Sequence, residues 1–423
     1  MARKTVIIPS KLAGSLSIPP SKSQTLRALL FASLSHGTCR IKNPLISPDT
    51  SSMIQALSSL GATIYWDSGE LVVIGTDGKI LNQDRTIDCG NSGLVLRLIG
   101  ALAALSPAKT TLFGDASIQN NRPILPLTEA LTELGATISY PLSIQGPLLH
   151  KKASLDGQDS QPVSGLLIAA AFAQHPIEIY VTSPGEKPWV DLTLHWFDTL
   201  SIPYERRGYS YYRLKGNASV APFTYTVPAD WSSLAFPLAA ALITESKITL
   251  NHLNFLDPQG DKQLLPLLEQ MGARFTYHNS SLEVHPSLLK GIIIDVNPFI
   301  DALPILSVIG CFATGKTVLC NGAIARKKES DRIASMAKEL SLMGACIEQT
   351  PDGLIIYPSK LYGAQLHSHK DHRVALSLSV AGLAASSPSE LRESCCVDKT
   401  YHTFYSDMNS LGAHYETVSA VRI

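Results

Sequence analysis

The sequence predicts a mixed α/β (α+β) protein of two pseudo-symmetric domains. Each is expected to hold three βαβαββ repeats, with buried parallel helices inside and strands outside. Two periodicities and one strand pattern predict it. A Leu/Met-Gly-Ala signature occurs as LGATI (60–64), LGATI (134–138), MGARF (271–275), MGACI (343–347) and LGAHY (411–415), and a degenerate LSIPY (200–204) fills the one gap. A polar cluster followed by a strongly apolar segment occurs six times, and its markers Ser21, Asn91, Ser160, Asp230, Asp301 and Asp371 are 69–71 residues apart. After most of these segments comes a β-alternating run: GTCRI, KTTLF, IEIYV, KITLN, KTVLC.

Each signature has a physical reading. A glycine just past an amphipathic helix takes the left-handed C-cap conformation at the lowest cost, since it has no Cβ. Gly61, Gly135, Gly272, Gly344 and Gly412 stand there, with Ser201 in the degenerate copy, and strands follow them. The six apolar segments lie at 19–34, 90–105, 159–173, 229–242, 299–313 and 370–385. They are apolar on nearly all sides, so each predicts a helix buried in a core rather than lying on a surface. A repeat of about 70 residues, found six times, is a sixfold array of one supersecondary unit. The halves divide near 226–230, where VPAD interrupts the pattern; the strand candidate Thr5–Ile8 fits either half.

Composition narrows the function. Of 423 residues, 17% are charged, against a typical value of about 25%, so disorder and coiled coil are excluded. Lys plus Arg (35) balances Asp plus Glu (35). A neutral chain is not built as a nucleic-acid or anionic-membrane binder, and any anion site is a local concentration of cations. The longest apolar runs, Leu166–Ala173 and Ala302–Ala313, fall short of the roughly 20 residues of a membrane span. The N-terminus MARKTVIIPSKLAG has no apolar stretch of signal-peptide type. Seven cysteines without a C-x-x-C pair predict reduced thiols in a cytoplasmic protein.

The polar clusters fall at the N-terminal ends of the buried helices, where unpaired N–H donors and about half a positive charge collect. Ser, Asp and Asn there are ordinary caps. Lys22, Ser23, Arg27, Arg97, Ser160, Gln161 and Arg373 are more telling. A cation at a helix N-terminus opposes the dipole, and a bound anion makes that placement sensible. The prediction is one anion-focusing cleft between the halves. Arg122 in NNRPI, Lys328, Glu329, Asp331 and Arg332 in KKESDR, and Lys399 in DKT lie in phase with the repeat. Arg122, Arg332 and Arg373 suit bidentate capture of carboxylate or phosphate, while Asp301 and Glu329 are carboxylates among cations, as general acids and bases often are.

Two motifs are read as decoys. GCFATGKT (310–317) matches a phosphate loop, but a helical run precedes it and a β-like run follows, the reverse of what that loop needs. It is read as a turn. HSHKDH (367–372) lacks ligand spacing and a carboxylate or Cys partner at a standard offset, so no metal is expected.

Taken together and in order, PSKSQTLRAL, GNSGLVLR, NRPI, DSQ, PADWSS, PFIDALP, RKKESDR, DHR and DKT resemble the 5-enolpyruvylshikimate-3-phosphate synthase family over essentially the whole chain. The resemblance implies two domains joined by a double crossover: 19–228 as the first, and 1–18 with 229–423 as the second, the active site lying in the cleft between them. It implies transfer of the enolpyruvyl group of phosphoenolpyruvate to the 5-hydroxyl of shikimate 3-phosphate, with no metal or organic cofactor, in a cytoplasmic monomer whose partners are small molecules, not nucleic acid or membrane. By motif, Lys22, Ser23, Arg27, Ser160, Gln161, Asp301 and Lys328 correspond to shikimate 3-phosphate contacts. Lys22, Gly93, Arg122, Gln161, Arg332, Arg373 and Lys399 correspond to the phosphoenolpyruvate site. Lys22, Asp301 and Glu329 would be catalytic, with Asp301 on the 5-hydroxyl and the other two on the C3 proton.

The chain departs from that pattern twice. Leu94 stands where the family usually has Thr, and Glu186 stands where a Ser often binds the shikimate phosphate; either Glu186 points away or Lys187 takes the contact. Three rival readings are a UDP-N-acetylglucosamine enolpyruvyl transferase, a nucleotide hydrolase using Lys316 and Thr317, and a catalytically inert anion binder. The first is disfavoured because GDASIQNNRP (114–123) lacks the loop Cys that marks that family.

Overall fold

The computed structural model describes residues 3–120 and 124–419. The chain forms two compact units: Met1–Pro19 with Pro228–Ile423, called unit 1, and Pro20–Val227, called unit 2. Strands β1 (Arg3–Ile8) and β2 (Ala13–Ser17) open the chain in unit 1. Unit 2 begins with α1 (Lys22–Ser33), β3 (Thr38–Lys42), α2 (Pro48–Ser59), β4 (Thr63–Asp67) and β5 (Glu70–Ile74). Its second repeat is β6 (Arg85–Asp88), α3 (Gly93–Ala103), β7 (Thr110–Phe113), the short α4 (Ala116–Asn120), α5 (Leu125–Glu133), β8 (Thr137–Ser139) and β9 (Ser143–Gln145). The third is β10 (Lys152–Asp156), α6 (Ser160–Phe172), β11 (Ile177–Thr182), α7 (Lys187–Thr199), β12 (Tyr204–Arg207) and β13 (Tyr211–Leu214), after which β14 (Thr224–Thr226) ends the unit.

Unit 1 repeats the plan. It runs α8 (Trp231–Ile243), β15 (Lys247–Asn251), α9 (Leu264–Gln270), β16 (Arg274–Tyr277) and β17 (Ser281–His285). Next come β18 (Ile293–Asp295), α10 (Leu303–Phe312), β19 (Thr317–Cys320), α11 (Arg332–Leu342), β20 (Ile347–Thr350) and β21 (Gly353–Ile356). The last repeat is β22 (Gln365–His367), α12 (His372–Leu383), β23 (Ser389–Arg392), α13 (Phe404–Ser410) and β24 (His414–Ser419).

The strands form six four-stranded sheets with one recurring order, as in β6-β7-β9-β8 and β10-β11-β13-β12. The first pair is parallel and the rest antiparallel. Ala153 of β10 lies beside Ile179 of β11, and Tyr212 of β13 opposes Ile179 from the other side. These three side chains are buried while their neighbours along β10 face outward, the period-2 pattern of a sheet covered on one face. Three sheets are completed by strands distant in sequence. β14 pairs parallel to β3, β2 pairs parallel to β15, and β1 lies between β23 and β24. The strand that the sequence left open between the halves therefore belongs to unit 1, and each unit closes on a strand from its far end.

Each unit has its own core. In unit 2, α1, α3 and α6 supply Leu29, Leu98, Leu167 and their neighbours; in unit 1, α8, α10 and α12 supply Leu238, Leu306 and Leu376. Helices apolar all round can pack only inside, and each such Leu contributes roughly 1.5–3 kcal/mol by leaving water. The repeat glycines have positive φ, and Ser201 takes the same left-handed turn at φ 57°. All seven cysteines are free, and no helix among the described residues is long and apolar enough to cross a membrane. GCFATGKT runs from the end of α10 through a turn into β19, so it is a helix–turn–strand and not a phosphate loop.

The caps differ in detail from the sequence markers. Ser21, Asp230 and Asp371 cap α1, α8 and α12, but α3 is capped by Ser92 and α6 by Asp159, each one residue from its marker. Asp301 is not a cap. It lies in a 3-10 segment before α10, whose N-cap, Ala302, makes no side-chain bond. This frees the Asp301 carboxylate for side-chain partners.

Candidate functional site

In unit 2 the N-terminal ends of α1, α2, α3, α6 and α7 are tied together by polar side chains. Lys22, the first residue of α1, is 3.3 Å from Asp49 in the first turn of α2. The same carboxylate oxygen accepts from the Ser92 hydroxyl, at the N-cap of α3 (2.9 Å). Gly93 begins α3, and its carbonyl accepts from Arg97 (3.1 Å). Arg97 also donates to Gln161 Oε1 (3.1 Å) and pairs with Asp159, the cap of α6 (3.1 Å).

Arg27 is solvated differently. Its donors reach Thr193 Oγ1 (3.0 and 3.1 Å), Trp189 O (3.4 Å) and Ser23 O (3.4 Å), all of them neutral oxygens. Burial without a countercharge pushes its pKa down to about 10. A buried guanidinium in that condition gains most from an arriving anion. Glu186, at the start of α7, turns its carboxylate onto Ser160, accepting from the backbone N–H (3.0 Å) and the hydroxyl (2.7 Å). Without a ligand, Glu186 thus faces Ser160. Leu94 packs into the unit 2 core. Arg122 lies outside the described residues.

In unit 1 the cluster is denser. Arg332, first residue of α11 and 1% exposed, donates to Asp371 (2.8 Å), Asp301 (2.6 Å) and Glu329 (2.8 Å). Glu329 also accepts from Lys399 (2.9 Å). Arg373 donates to the Ser232 carbonyl (3.3 Å) and to Asp301 (3.4 Å), and its guanidinium lies 5.8 Å from the Phe236 ring. Its buried Nε–H meets no acceptor among the described residues, an open donor that suits an anion. Burial alone would raise the Asp301 pKa, but Arg373, Arg332 and Lys328 outweigh it and hold the carboxyl well below the usual range. Burial likewise disfavours the charge on Arg332, and the three carboxylates around it reverse that effect.

The sequence reading is corrected on one point. Cations at these helix ends do not wait for an external anion, because Asp49, Asp159, Asp301, Glu329 and Asp371 already balance most of them. Asp49 and the pairing role of Asp371 were missed: the contacts join residues 27–43 positions apart, and no local spacing marks them. Asp261 was missed as well. It is 2% exposed, accepts the Ser232 hydroxyl (2.5 Å), and burial, opposed by Arg373, pushes its pKa up to about 7. Nearby, Gln259 braces the start of α8, accepting from the Trp231 N–H (3.1 Å) and donating to Ala229 O (2.9 Å).

Ligand atoms of Glu329, Asp371 and His372 lie within 4.8 Å of one another, a carboxylate–His grouping that HSHKDH alone did not reveal. Arg332 donates to both of its carboxylates and Lys399 to Glu329, so a cation there would displace charges already in place.

The architecture is that of the enolpyruvyl transferases. The structure is similar to an EPSP synthase from Acinetobacter baumannii (TM-score 0.82, 28% identity, 99% of this chain and 100% of that one). The enolpyruvyl transferase NikO from Streptomyces tendae shares the fold (TM-score 0.80, 18% identity, 99% of this chain and 100% of that one). In sequence, the chain is 45% identical over 419 residues to a 3-phosphoshikimate 1-carboxyvinyltransferase of Chlamydia caviae, spanning 97% of this chain and 94% of that protein. A protein of the same name from Chlamydia pneumoniae is 41% identical, with the same coverage of both chains. The family EPSP synthase (3-phosphoshikimate 1-carboxyvinyltransferase) matches residues 6–408. The chain belongs to this family.

Proposed function

We propose that the two clusters serve one reaction: transfer of the enolpyruvyl group of phosphoenolpyruvate to the 5-hydroxyl of shikimate 3-phosphate, with release of phosphate, in aromatic biosynthesis. Family membership supports the reaction. Among the geometric facts, the one that carries most is Asp301, a carboxylate kept ionised between Arg332 and Arg373.

The chemistry follows from charge. Both substrates are anions and repel each other, so cations must hold them in contact; such positioning can supply several kcal/mol of the barrier. By motif, Arg332, Arg373, Lys399 and Arg122 take the carboxylate and phosphate of phosphoenolpyruvate, and Lys22, Gln161 and the Gly93 backbone are assigned to the same substrate. Ser23, Arg27, Ser160, Gln161 and Lys328 take the shikimate phosphate and ring. Asp301 accepts the 5-hydroxyl proton as the oxygen adds to C2, and C3 is protonated to a methyl group. The tetrahedral intermediate then loses phosphate by C–O cleavage as C3 gives back a proton; Glu329 and Lys22 handle that proton. In the free chain Asp301 is too strongly stabilised by Arg332 and Arg373 to be a good base. An incoming anion that draws on those arginines raises its proton affinity when the hydroxyl arrives, and base strength is thus coupled to occupancy.

The substrates are small molecules. Seven free thiols, with Cys346 and Cys395 exposed, suit the reducing cytoplasm. The UDP-N-acetylglucosamine reading is not favoured by the relatives. The test is phosphate release from purified protein with both substrates. Release that needs both supports the reaction; no release at any concentration of the two overturns it.

A further inference from the structure

The N-terminus of α6 already holds an anion, and the chain supplies it. The Glu186 carboxylate is bound by the Ser160 backbone N–H and hydroxyl, and the residue is 2% exposed. This placement is built. Glu186 is held at φ 43°, in the left-handed region that a side chain disfavours. The Gly185 N–H donates to Gly157 O (2.9 Å), and a Cβ on Gly185 would stand 2.7 Å from Gln158 O. One on Gly157 would meet Val181 Cγ1 at 2.3 Å. Two glycines thus let the loop before α7 press against the loop before α6 and deliver the carboxylate. On the same helices, Arg27 reaches only neutral oxygens of Thr193, Trp189 and Ser23, and Thr193 donates to Ser164 of α6 (3.0 Å).

We infer that Glu186 is a specificity-determining residue: its carboxylate competes with the substrate phosphate for Ser160 and must leave when that phosphate binds. The inference rests on the reading of Ser160 as a shikimate 3-phosphate contact. Two anions cannot share the same pair of donors, so a ligand gains the site only by offering more charge and more acceptor oxygens than one carboxylate. A phosphate dianion does so, and an unphosphorylated hydroxyl does not. The competition weakens the affinity for phosphorylated ligands alone, because a ligand without the phosphate need not displace Glu186, so Glu186 narrows the margin between the two.

Steady-state kinetics on the full chain test this. Glu186→Ser is expected to lower KM for shikimate 3-phosphate about tenfold, and Glu186→Gln about threefold, with kcat changed less than about twofold. KM for phosphoenolpyruvate should stay constant. Inhibition by inorganic phosphate, competitive with shikimate 3-phosphate, should strengthen in parallel. Glu186→Gln keeps the size and the acceptor oxygen, so it preserves the test if Glu186→Ser folds poorly. A KM that is unchanged or raised in both variants overturns the inference, because Glu186 then only shapes the seat. Ser160→Ala separates the two levels. If it raises KM for shikimate 3-phosphate, the underlying reading stands and the Glu186 variants decide; if it leaves KM unchanged, the inference falls with that reading.

Discussion

Unit 2 and unit 1 build their clusters from the same repeat but balance charge differently. In unit 2 Lys22 pairs with Asp49 and Arg97 with Asp159, while Arg27 lies among neutral oxygens. In unit 1 Arg332 joins Asp301, Glu329 and Asp371 in one network, with Arg373 and Lys399 attached at its edges. Arg27, held by neutral oxygens, can take an anion without drawing on a carboxylate. A shared network makes the proton affinity of each carboxylate depend on all the others. Unit 1 thus couples anion binding at its arginines to proton affinity at its carboxylates, a coupling that Arg27 in unit 2 lacks.

Substitutions sharpen or break this contrast. The largest effect is expected from Asp371→Ala, which leaves the buried Arg332 charge short of a partner and removes the α12 cap; urea unfolding should show a loss of about 3–5 kcal/mol. A loss within error would mean that the network is not a unit. Next, Asp301→Asn should cut kcat by about 10²-fold or more while both KM values stay within a few-fold. Arg27→Ala should act the other way, raising KM for shikimate 3-phosphate by about 10-fold or more with a smaller change in kcat. If Arg27→Ala lost turnover as severely as Asp301→Asn, the contrast between Arg27 and the unit 1 network would collapse.

The smallest effect concerns pH. Burial pushes the Asp261 pKa up to about 7, so the folded chain holds its proton more tightly than the unfolded chain, for which the value is about 3.9. Its contribution to stability is complete below about pH 4 and is lost as pH rises toward 7. Asp301 has the opposite sign: its pKa is depressed, so its contribution is present above about pH 4 and lost as pH falls. Melting temperatures of Asp261→Asn between about pH 4.5 and 8 should lose the decline that the unmodified chain shows over that range, a difference of a few degrees. Parallel curves for the two proteins would show that Asp261 does not titrate there.

Much of the scaffold was legible in the residues, and much of the site was not. Repeat glycines and apolar helices are local signals, set by backbone strain and by side chains with no stable place outside a core, so they survived intact; even Ser201 takes the turn its position in the repeat demanded. Caps were shifted by one residue at Ser92 and Asp159, because Asn-Ser and Asp-Ser each offer two competent side chains and only backbone geometry chooses between them. Asp301 was read both as a helix-end marker and as a carboxylate among cations; it does not cap α10, and its side chain turns to Arg332 and Arg373 instead.

Sequence alone determined the sixfold periodicity, the burial of six helices and the family to which the chain belongs, since each of these is written in contiguous residues. Tertiary structure decided who neutralises whom. Asp49 reaches Lys22, Asp371 reaches Arg332 and Glu186 reaches Ser160 across 26 to 39 positions of chain. Such partners are brought together by packing and not by spacing, and electrostatic energy depends on distance in space and on exclusion of water, neither of which a linear order of residues contains.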